Sequence, residues 1–173
     1  MSIPLAKKLE ICYHINLEYV EKGANCALQS FVSHSEAETA DFAREFAKTL
    51  KPGDVVAFFG GLGAGKTTFT RYMCEALNCR DDVSSPTFAL VHCYRAKFPI
   101  YHFDMYRISG FDNLYSTGFF DYLDAGGVLV IEWSENVLEF LPKDMIRVDI
   151  KRISDNEREI TVKRGEKNED TRL

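Results

Sequence analysis

The sequence has few of the features that mark disulfide-rich, zinc-binding or membrane-spanning proteins. Its 173 residues include only 5 cysteines, 5 prolines and one tryptophan. The odd number of cysteines, with no Cys-x-x-Cys pair, argues against a disulfide framework and against a zinc site. Uninterrupted apolar runs stay well short of the ~18 residues that a membrane span requires. We therefore expect a cytoplasmic protein with no membrane association.

Positive charge is also scarce. Lysine and arginine number 21 against 26 aspartates and glutamates, which gives a formal net charge of −5. Nucleic-acid backbones are held mainly by clustered cations, and no long lysine and arginine stripe is present. Any contact with nucleic acid is therefore expected to be indirect and to depend on a partner. The length and the 46% hydrophobic content fit one compact domain.

Hydrophobic patterning predicts helices that alternate with buried strands. Ser35 and Glu38 form a capping-box pattern at the start of a helix that ends at residues 51–53. Two apolar runs, 55–59 and 128–131, lack alternation, which is typical of strands buried on both faces. The predicted fold is an α/β domain with a mixed, mostly parallel sheet flanked by helices.

The remaining elements follow from shorter patterns. The predicted segments are a helix from about 66 to 77, strands at 88–94 and 99–103 joined as a hairpin, a helix over 112–123 broken at Gly118, a short helix over 134–141, and strands near 145–152 and 158–163. Alternation over residues 11–19 is compatible with a further strand. No internal repeat interrupts this order.

A phosphate-binding loop lies between the first buried strand and the helix that follows it. The run Gly60-Gly61-Leu62-Gly63-Ala64-Gly65-Lys66-Thr67 fits the pattern G-x-x-x-x-G-K-[ST]. Its glycines let backbone N–H groups turn inward around phosphate oxygens, and the helix N-terminus adds partial positive charge. We expect Lys66 to reach the β- and γ-phosphates and the Thr67 hydroxyl to bind Mg²⁺.

Two acidic residues end apolar strands, where ligands of parallel sheets bind. Glu132 follows the run 128–131 and is the candidate Walker B acid, and Asp104 follows the strand 99–103 in the same manner. The segment Ser84-Ser85-Pro86-Thr87-Phe88 is a rigid loop with several hydroxyls. It is a candidate sensor of the γ-phosphate, with an ordinary turn as the alternative.

Four motifs in register resemble the TsaE (YjeE) family of ATPases over roughly residues 33–152. The motifs are Gly-Leu-Gly-Ala-Gly-Lys-Thr-Thr at 61–68, Ser-Pro-Thr-Phe at 85–88, Tyr-His-Phe-Asp-Met-Tyr-Arg at 101–107 and Ile-Glu-Trp at 131–133. The resemblance implies a small P-loop fold whose sheet mixes parallel strands with an antiparallel hairpin portion. It also implies a function in the synthesis of N6-threonylcarbamoyladenosine (t6A) at position 37 of tRNAs.

The resemblance implies ATP and Mg²⁺ as cofactors and TsaD-type and TsaB-type subunits as partners, with hydrolysis that is slow without them. By matching motif, Asp104, Glu132 and Lys66 are the catalytic residues, and Thr67 and Glu132 hold the metal. The nucleotide-binding residues it implies are Gly61, Leu62, Gly63, Ala64, Gly65, Lys66, Thr67, Thr68, Thr87 of a switch-like loop, and Trp133.

The sequence departs from the family at two places. Gly61 stands where a polar or acidic residue is usual, which is expected to loosen the loop, and residues 1–30 extend beyond the usual start. We therefore divide the chain into an N-terminal extension of unknown role (1–32), the P-loop domain (33–164) and a polar tail (165–173).

Proteins of other classes share the phosphate-binding loop. A regulatory GTPase is disfavoured because the guanine-reading Asn-Lys-x-Asp motif is missing. A small-molecule kinase stays possible, with Arg71, Arg80 and Arg107 as candidate lid arginines. A nucleotide-dependent regulatory binding module is the third alternative.

Overall fold

The computed structural model describes residues 18–21 and 27–165. The first described helix, α1, spans Glu36–Ala47 and begins with the predicted capping box. The Ser35 side chain accepts a hydrogen bond from the Glu38 backbone N–H at 3.2 Å, and Glu38 accepts one from the His34 N–H at 2.8 Å. These bonds satisfy two N–H groups that the first turn of a helix leaves without partners.

Eight strands of the described residues form one sheet with the order β1-β2-β8-β7-β3-β6-β5-β4. The strands are β1 Glu18–Glu21, β2 Ala27–Ser33, β3 Val55–Phe59, β4 Val91–Tyr94, β5 Ile100–Asp104, β6 Val128–Glu132, β7 Ile146–Arg152 and β8 Arg158–Arg164. The four central strands β7, β3, β6 and β5 run parallel. Antiparallel strands flank them on both sides, so the sheet is mixed as predicted.

The predicted hairpin is confirmed, since β4 pairs antiparallel with β5. The first of its strands is shorter than predicted, because residues 88–90 form a turn and Leu90 takes a left-handed conformation with φ of 67°. The segment 134–141, which is predicted to be a short helix, is not a regular α-helix. It contains two short 3₁₀ turns, Ser134–Asn136 and Leu138–Phe140.

The sheet begins before residue 33, where the sequence analysis starts the P-loop domain. Residues 27–33 form β2, which pairs with β8, and Phe31 stacks on Phe42 of α1 at 5.0 Å between ring centroids. Residues 27–32 of the predicted N-terminal extension therefore contribute a strand to the sheet. This strand was missed because a peripheral strand is stabilised by pairing with residues far along the chain. Residues 18 and 19 of the predicted strand at 11–19 belong to β1, and the rest of that segment and the tail beyond 165 lie outside the described residues.

Helices cover both faces of the parallel centre, which explains why its strands read as continuous apolar runs. Helix α2, Lys66–Ala76, packs with α1 on one face, where Phe58 of β3 contacts Phe69 of α2. Helices α3, Phe111–Ser116, and α4, Phe119–Leu123, lie on the other face against Phe103. In the part of the chain that the structure describes, no helix combines the length and apolarity needed to cross a membrane.

Candidate functional site

The phosphate-binding loop lies at the carboxyl end of β3 and leads directly into α2. Gly60 has a φ of 141°, and a Cβ atom there would collide with the carbonyl oxygen of Ile150, so only glycine fits. Gly65 also has a positive φ, 110°, at the N-terminus of the helix. A Cβ at Gly61 meets nothing within 4 Å, and the Gly61 carbonyl accepts the Ala64 N–H at 3.2 Å. The loop is therefore tied internally at Gly61, and a side chain would fit there.

Lys66 is 5% exposed and extends along its own loop. Its ammonium donates hydrogen bonds to the carbonyls of Gly60 at 2.6 Å and Gly61 at 3.0 Å, and it lies 4.2 Å from the centre of the Trp133 ring. Burial lowers the pKa of Lys66 from its usual value, and the nearby carboxylates of Glu132, Glu135 and Asp104 oppose that shift. The Lys66 ammonium is therefore held in a partly desolvated position next to the phosphate-binding loop.

Trp133 reaches Lys66 because the chain turns sharply after β6. Its φ is 59°, a left-handed conformation that is uncommon for a large residue. The indole lies between the Lys66 ammonium and the ring of Tyr106, whose centroid is 4.9 Å away. Trp133 therefore lies beside the phosphate-binding loop as predicted, because of a turn that no sequence pattern indicates.

Glu132 ends β6 and is 4% exposed. Its Oε1 accepts a hydrogen bond from the Thr67 hydroxyl at 2.7 Å, and the ring Nε2 of His102 lies 2.9 Å from the same oxygen. The hydroxyl proton of Thr67 is directed at the carboxylate, which leaves the lone pairs of that hydroxyl available to a cation. Thr67 and Glu132, 65 residues apart in the chain, meet as the sequence predicts for a Walker A and Walker B pair.

Asp104 ends the neighbouring strand and stands in register with Glu132. Its Oδ2 accepts hydrogen bonds from the hydroxyls of Thr87 at 2.7 Å and Ser85 at 3.3 Å, while Oδ1 accepts the Tyr106 N–H at 2.9 Å. The two predicted acids are therefore adjacent, but Asp104 is tied to the irregular loop before β4.

A cavity of about 470 Å³ opens over these groups. The predicted residues that line it are Leu62, Gly63, Ala64, Gly65, Lys66, Thr67, Thr68, Thr87, Asp104, Glu132 and Trp133. Gly61 lies outside this lining and contributes its carbonyl to Lys66. Ser85 of the candidate sensor loop also lines the cavity. The wall is completed by residues that no sequence pattern indicates: Glu36 and Thr39 of α1, and Asp155, Asn156 and Arg158 around the turn between β7 and β8.

Arg158 is the most informative of the missed residues. Its Nε would lie 3.4 Å from a Cβ on Gly65, so the guanidinium group sits against the N-terminus of α2. Its Nη1 donates a hydrogen bond to the backbone carbonyl of Asp155 at 3.2 Å. No motif marks this arginine. Only the antiparallel return of β8 beside β7 brings it to the loop.

The donor set suits Mg²⁺. This ion prefers oxygen ligands and keeps several waters, with one or two carboxylates and the phosphates of a nucleotide completing its shell. Thr67, Glu132 and Asp104 present a hydroxyl and two carboxylates at one edge of the sheet. Among residues 18–21 and 27–165, no cluster of three or more His, Cys, Asp or Glu has the arrangement of an all-protein metal site. The arrangement therefore fits a metal bound together with a nucleotide.

Comparison with known proteins gives a consistent result. A family model described as "Threonylcarbamoyl adenosine biosynthesis protein TsaE" matches residues 33–160. The tRNA threonylcarbamoyladenosine biosynthesis protein TsaE of Rickettsia typhi is 41% identical over 133 residues, which cover 76% of this chain and 92% of that protein. The protein of the same name from Bacillus subtilis is 42% identical over 125 residues, 72% of this chain and 78% of that protein.

A solved structure has the same fold. The crystal structure of Bacillus subtilis YdiB superposes with a TM-score of 0.69 at 34% sequence identity, over 83% of this chain and 90% of that one. The family resemblance predicted from the four motifs is confirmed by these matches, and so is the predicted fold class.

Proposed function

This chain belongs to the TsaE family, and from that premise we propose that it binds and hydrolyses Mg·ATP as a subunit required for t6A modification of tRNA. The partners in this proposal are TsaD-type and TsaB-type subunits, which accelerate a hydrolysis that is slow in the isolated protein. The relatives that match carry the name of this biosynthesis. That this chain itself uses ATP, Mg²⁺ and these partners is our proposal.

One observation supports Mg·ATP binding most directly. The Thr67 hydroxyl donates to Glu132 at 2.7 Å while the Lys66 ammonium lies on the same loop, with both side chains lining one cavity. A phosphate-binding loop, a metal hydroxyl and an acid at the strand end are the parts that P-loop enzymes use to bind a triphosphate.

Lys66 and Arg158 supply the positive charge that the phosphates need. The Lys66 ammonium rests on the carbonyls of Gly60 and Gly61 and is in position to exchange these for phosphate oxygens. Arg158 adds a planar guanidinium at the N-terminus of α2. The backbone N–H groups of residues 63–67 complete an anion site.

Mg²⁺, held by Thr67 and Glu132, would neutralise charge on the phosphate oxygens. Asp104 is assigned the role of orienting the attacking water and accepting its proton. Its carboxylate lines the cavity beside Glu132, and its Oδ2 is held by Thr87 and Ser85. The Thr87 loop thereby sets the direction of the catalytic carboxylate.

The alternatives gain no support from the site. The three arginines that a kinase lid would use, Arg71, Arg80 and Arg107, are not among the described residues that line the cavity. Arg107 instead lies over the ring of Phe88 at 5.5 Å. The net charge of −5 supports an indirect contact with tRNA, made through the partner subunits.

Two measurements test the proposal. Phosphate release is followed with Mg·ATP alone and after addition of TsaD-type and TsaB-type subunits, and t6A formation is measured in the reconstituted system with and without this protein. We expect partner-stimulated ATP hydrolysis and t6A formation that requires this chain. Transfer of phosphate to a small acceptor without partners would instead identify a kinase, and t6A formation that proceeds equally well without the chain would contradict the proposal.

A further inference from the structure

His102 occupies the middle of β5 and is completely buried. Side chains alternate along strands, so its face of the sheet is shared with Ile100 of the same strand and with Val128 and Val130 of β6, all in the core against α1 and α2. A histidine on such a face loses its hydration, which is costly unless both ring nitrogens find partners. Its hydrogen bonds therefore need an explanation.

The imidazole connects the Walker B acid to the strand beside it. Nε2 lies 2.9 Å from Glu132 Oε1, and Nδ1 faces the Tyr94 hydroxyl at 3.5 Å. An ionised carboxylate only accepts hydrogen bonds, so the proton between the two groups is carried by Nε2 and is donated to Glu132. The Tyr94 hydroxyl also lies 2.9 Å from the carbonyl of Ser84, so its single proton is available to either Nδ1 or that carbonyl.

Both donors to Glu132 use the same oxygen. Thr67 and His102 bond to Oε1, and Oε2 accepts no hydrogen bond from the residues that the structure describes. The two hydrogen bonds fix Oε1 and leave Oε2 available to a metal ion or to one of its bound waters. The Thr67 hydroxyl is itself needed by the metal, so His102 is the donor that holds Glu132 without contacting the ligand.

We propose that His102 is a positioning residue, which orients the Glu132 carboxylate for Mg²⁺ by donating a hydrogen bond from Nε2. This role rests on the proposed function, because it concerns the metal that accompanies ATP. A packing role alone would not require the N–H donor at Nε2. Outer hydrogen bonds of this kind tune metal affinity by about 10- to 100-fold.

Two variants of similar polarity separate positioning from packing. His102→Gln keeps an N–H donor near the place of Nε2, whereas His102→Asn is too short to reach Glu132. Trp133 is the only tryptophan and lies against Lys66, so its fluorescence reports nucleotide binding. We expect His102→Asn to raise the Mg²⁺ concentration at half-maximal ATP binding about tenfold, with Mg²⁺-free ATP binding unchanged. His102→Gln should stay within about threefold of wild type.

His102→Phe, which keeps a ring and loses the donor, is the second loss variant if His102→Asn does not fold. His92→Gln is the matched control, because His92 stands opposite His102 on β4 and does not contact Glu132. Equal Mg²⁺ requirements in the Asn, Phe and Gln variants would overturn the role of His102, provided that wild type shows Mg²⁺-dependent ATP binding. A wild type without such binding would overturn the proposed function itself.

Discussion

The two acids at the edge of the sheet lie side by side but are held in different ways. Glu132 ends a strand buried along its whole length, and its partners Thr67 and His102 belong to α2 and β5. Asp104 takes its side-chain donors from Ser85 and Thr87, in the irregular segment before β4. Regular elements therefore fix one acid, and a loop fixes the other.

The loop that holds Asp104 is more exposed than the strand end with Glu132, since Phe88 is 92% exposed whereas every residue of β6 is buried. A left-handed backbone, which costs on the order of 1–3 kcal/mol, occurs on both sides, at Leu90 and at Trp133. Such conformations persist only where neighbouring contacts enforce them, and the Leu90 carbonyl accepts the Asp104 N–H at 3.1 Å. The contrast leads us to assign nucleotide and metal binding to the fixed half of the site and control of hydrolysis to the loop half.

The largest expected effect lies in the fixed half. Lys66→Ala should lower ATP affinity at least about 100-fold, because it removes the charge that the loop supplies to the β- and γ-phosphates. Isothermal titration with ATP measures this loss. Arg71→Ala is the control, since Arg71 is an exposed residue of the same helix. Similar affinities in the two variants would break the assignment of binding to this half.

A smaller effect is expected at Arg158. Arg158→Gln should weaken ATP binding about tenfold, because one charge-assisted hydrogen bond to phosphate contributes roughly 1.5–3 kcal/mol. Arg158→Lys should recover only part of the loss, since an ammonium lacks the planar fork of guanidinium. Lys163→Gln, on the exposed side of the same strand, is the matched control. If Arg158→Gln binds ATP as tightly as the control does, the arginine is not part of the site.

The smallest effect tests the loop half. Thr87→Val keeps the shape of the side chain and removes the 2.7 Å hydrogen bond to Asp104. We expect phosphate release to slow about fivefold, as for the loss of one hydrogen bond of ~1 kcal/mol, while ATP affinity stays within about twofold. A change in affinity with unaltered turnover would reverse the roles given to the two halves.

The sequence predicts the locally determined parts of the molecule better than the parts that depend on distant residues, for a physical reason. The cap at Ser35, the buried runs of β3 and β6 and the phosphate-binding loop depend on neighbours within a few residues, which the sequence displays directly. Arg158 and His102 act through residues of other elements. Their sequence neighbours carry no mark of a contact with Gly65 or Glu132.

The strand β2 and the turn at residues 88–90 show the same limit. Strand preference depends on the partner strand and on burial. β2 pairs with β8 about 130 residues further along the chain, as the register of Phe31 with Ile160 shows. At residues 88–90 the apolar run predicts a strand, but the Pro86 carbonyl accepts the N–H groups of Ala89 and Leu90 and closes a turn, which hydropathy does not indicate.

The most direct test compares Asp104→Asn and Glu132→Gln in one Mg·ATP titration, with binding followed by Trp133 fluorescence and turnover by phosphate release. Each amide keeps the size of the side chain and removes its charge, so folding is preserved as far as possible. We expect Asp104→Asn to bind Mg·ATP within about threefold of wild type and to lose roughly 100-fold in the rate of hydrolysis. Glu132→Gln should lose Mg²⁺-dependent ATP binding together with hydrolysis. Wild-type turnover in Asp104→Asn, or intact Mg²⁺-dependent binding in Glu132→Gln, would contradict the division of the site into a fixed half and a loop half.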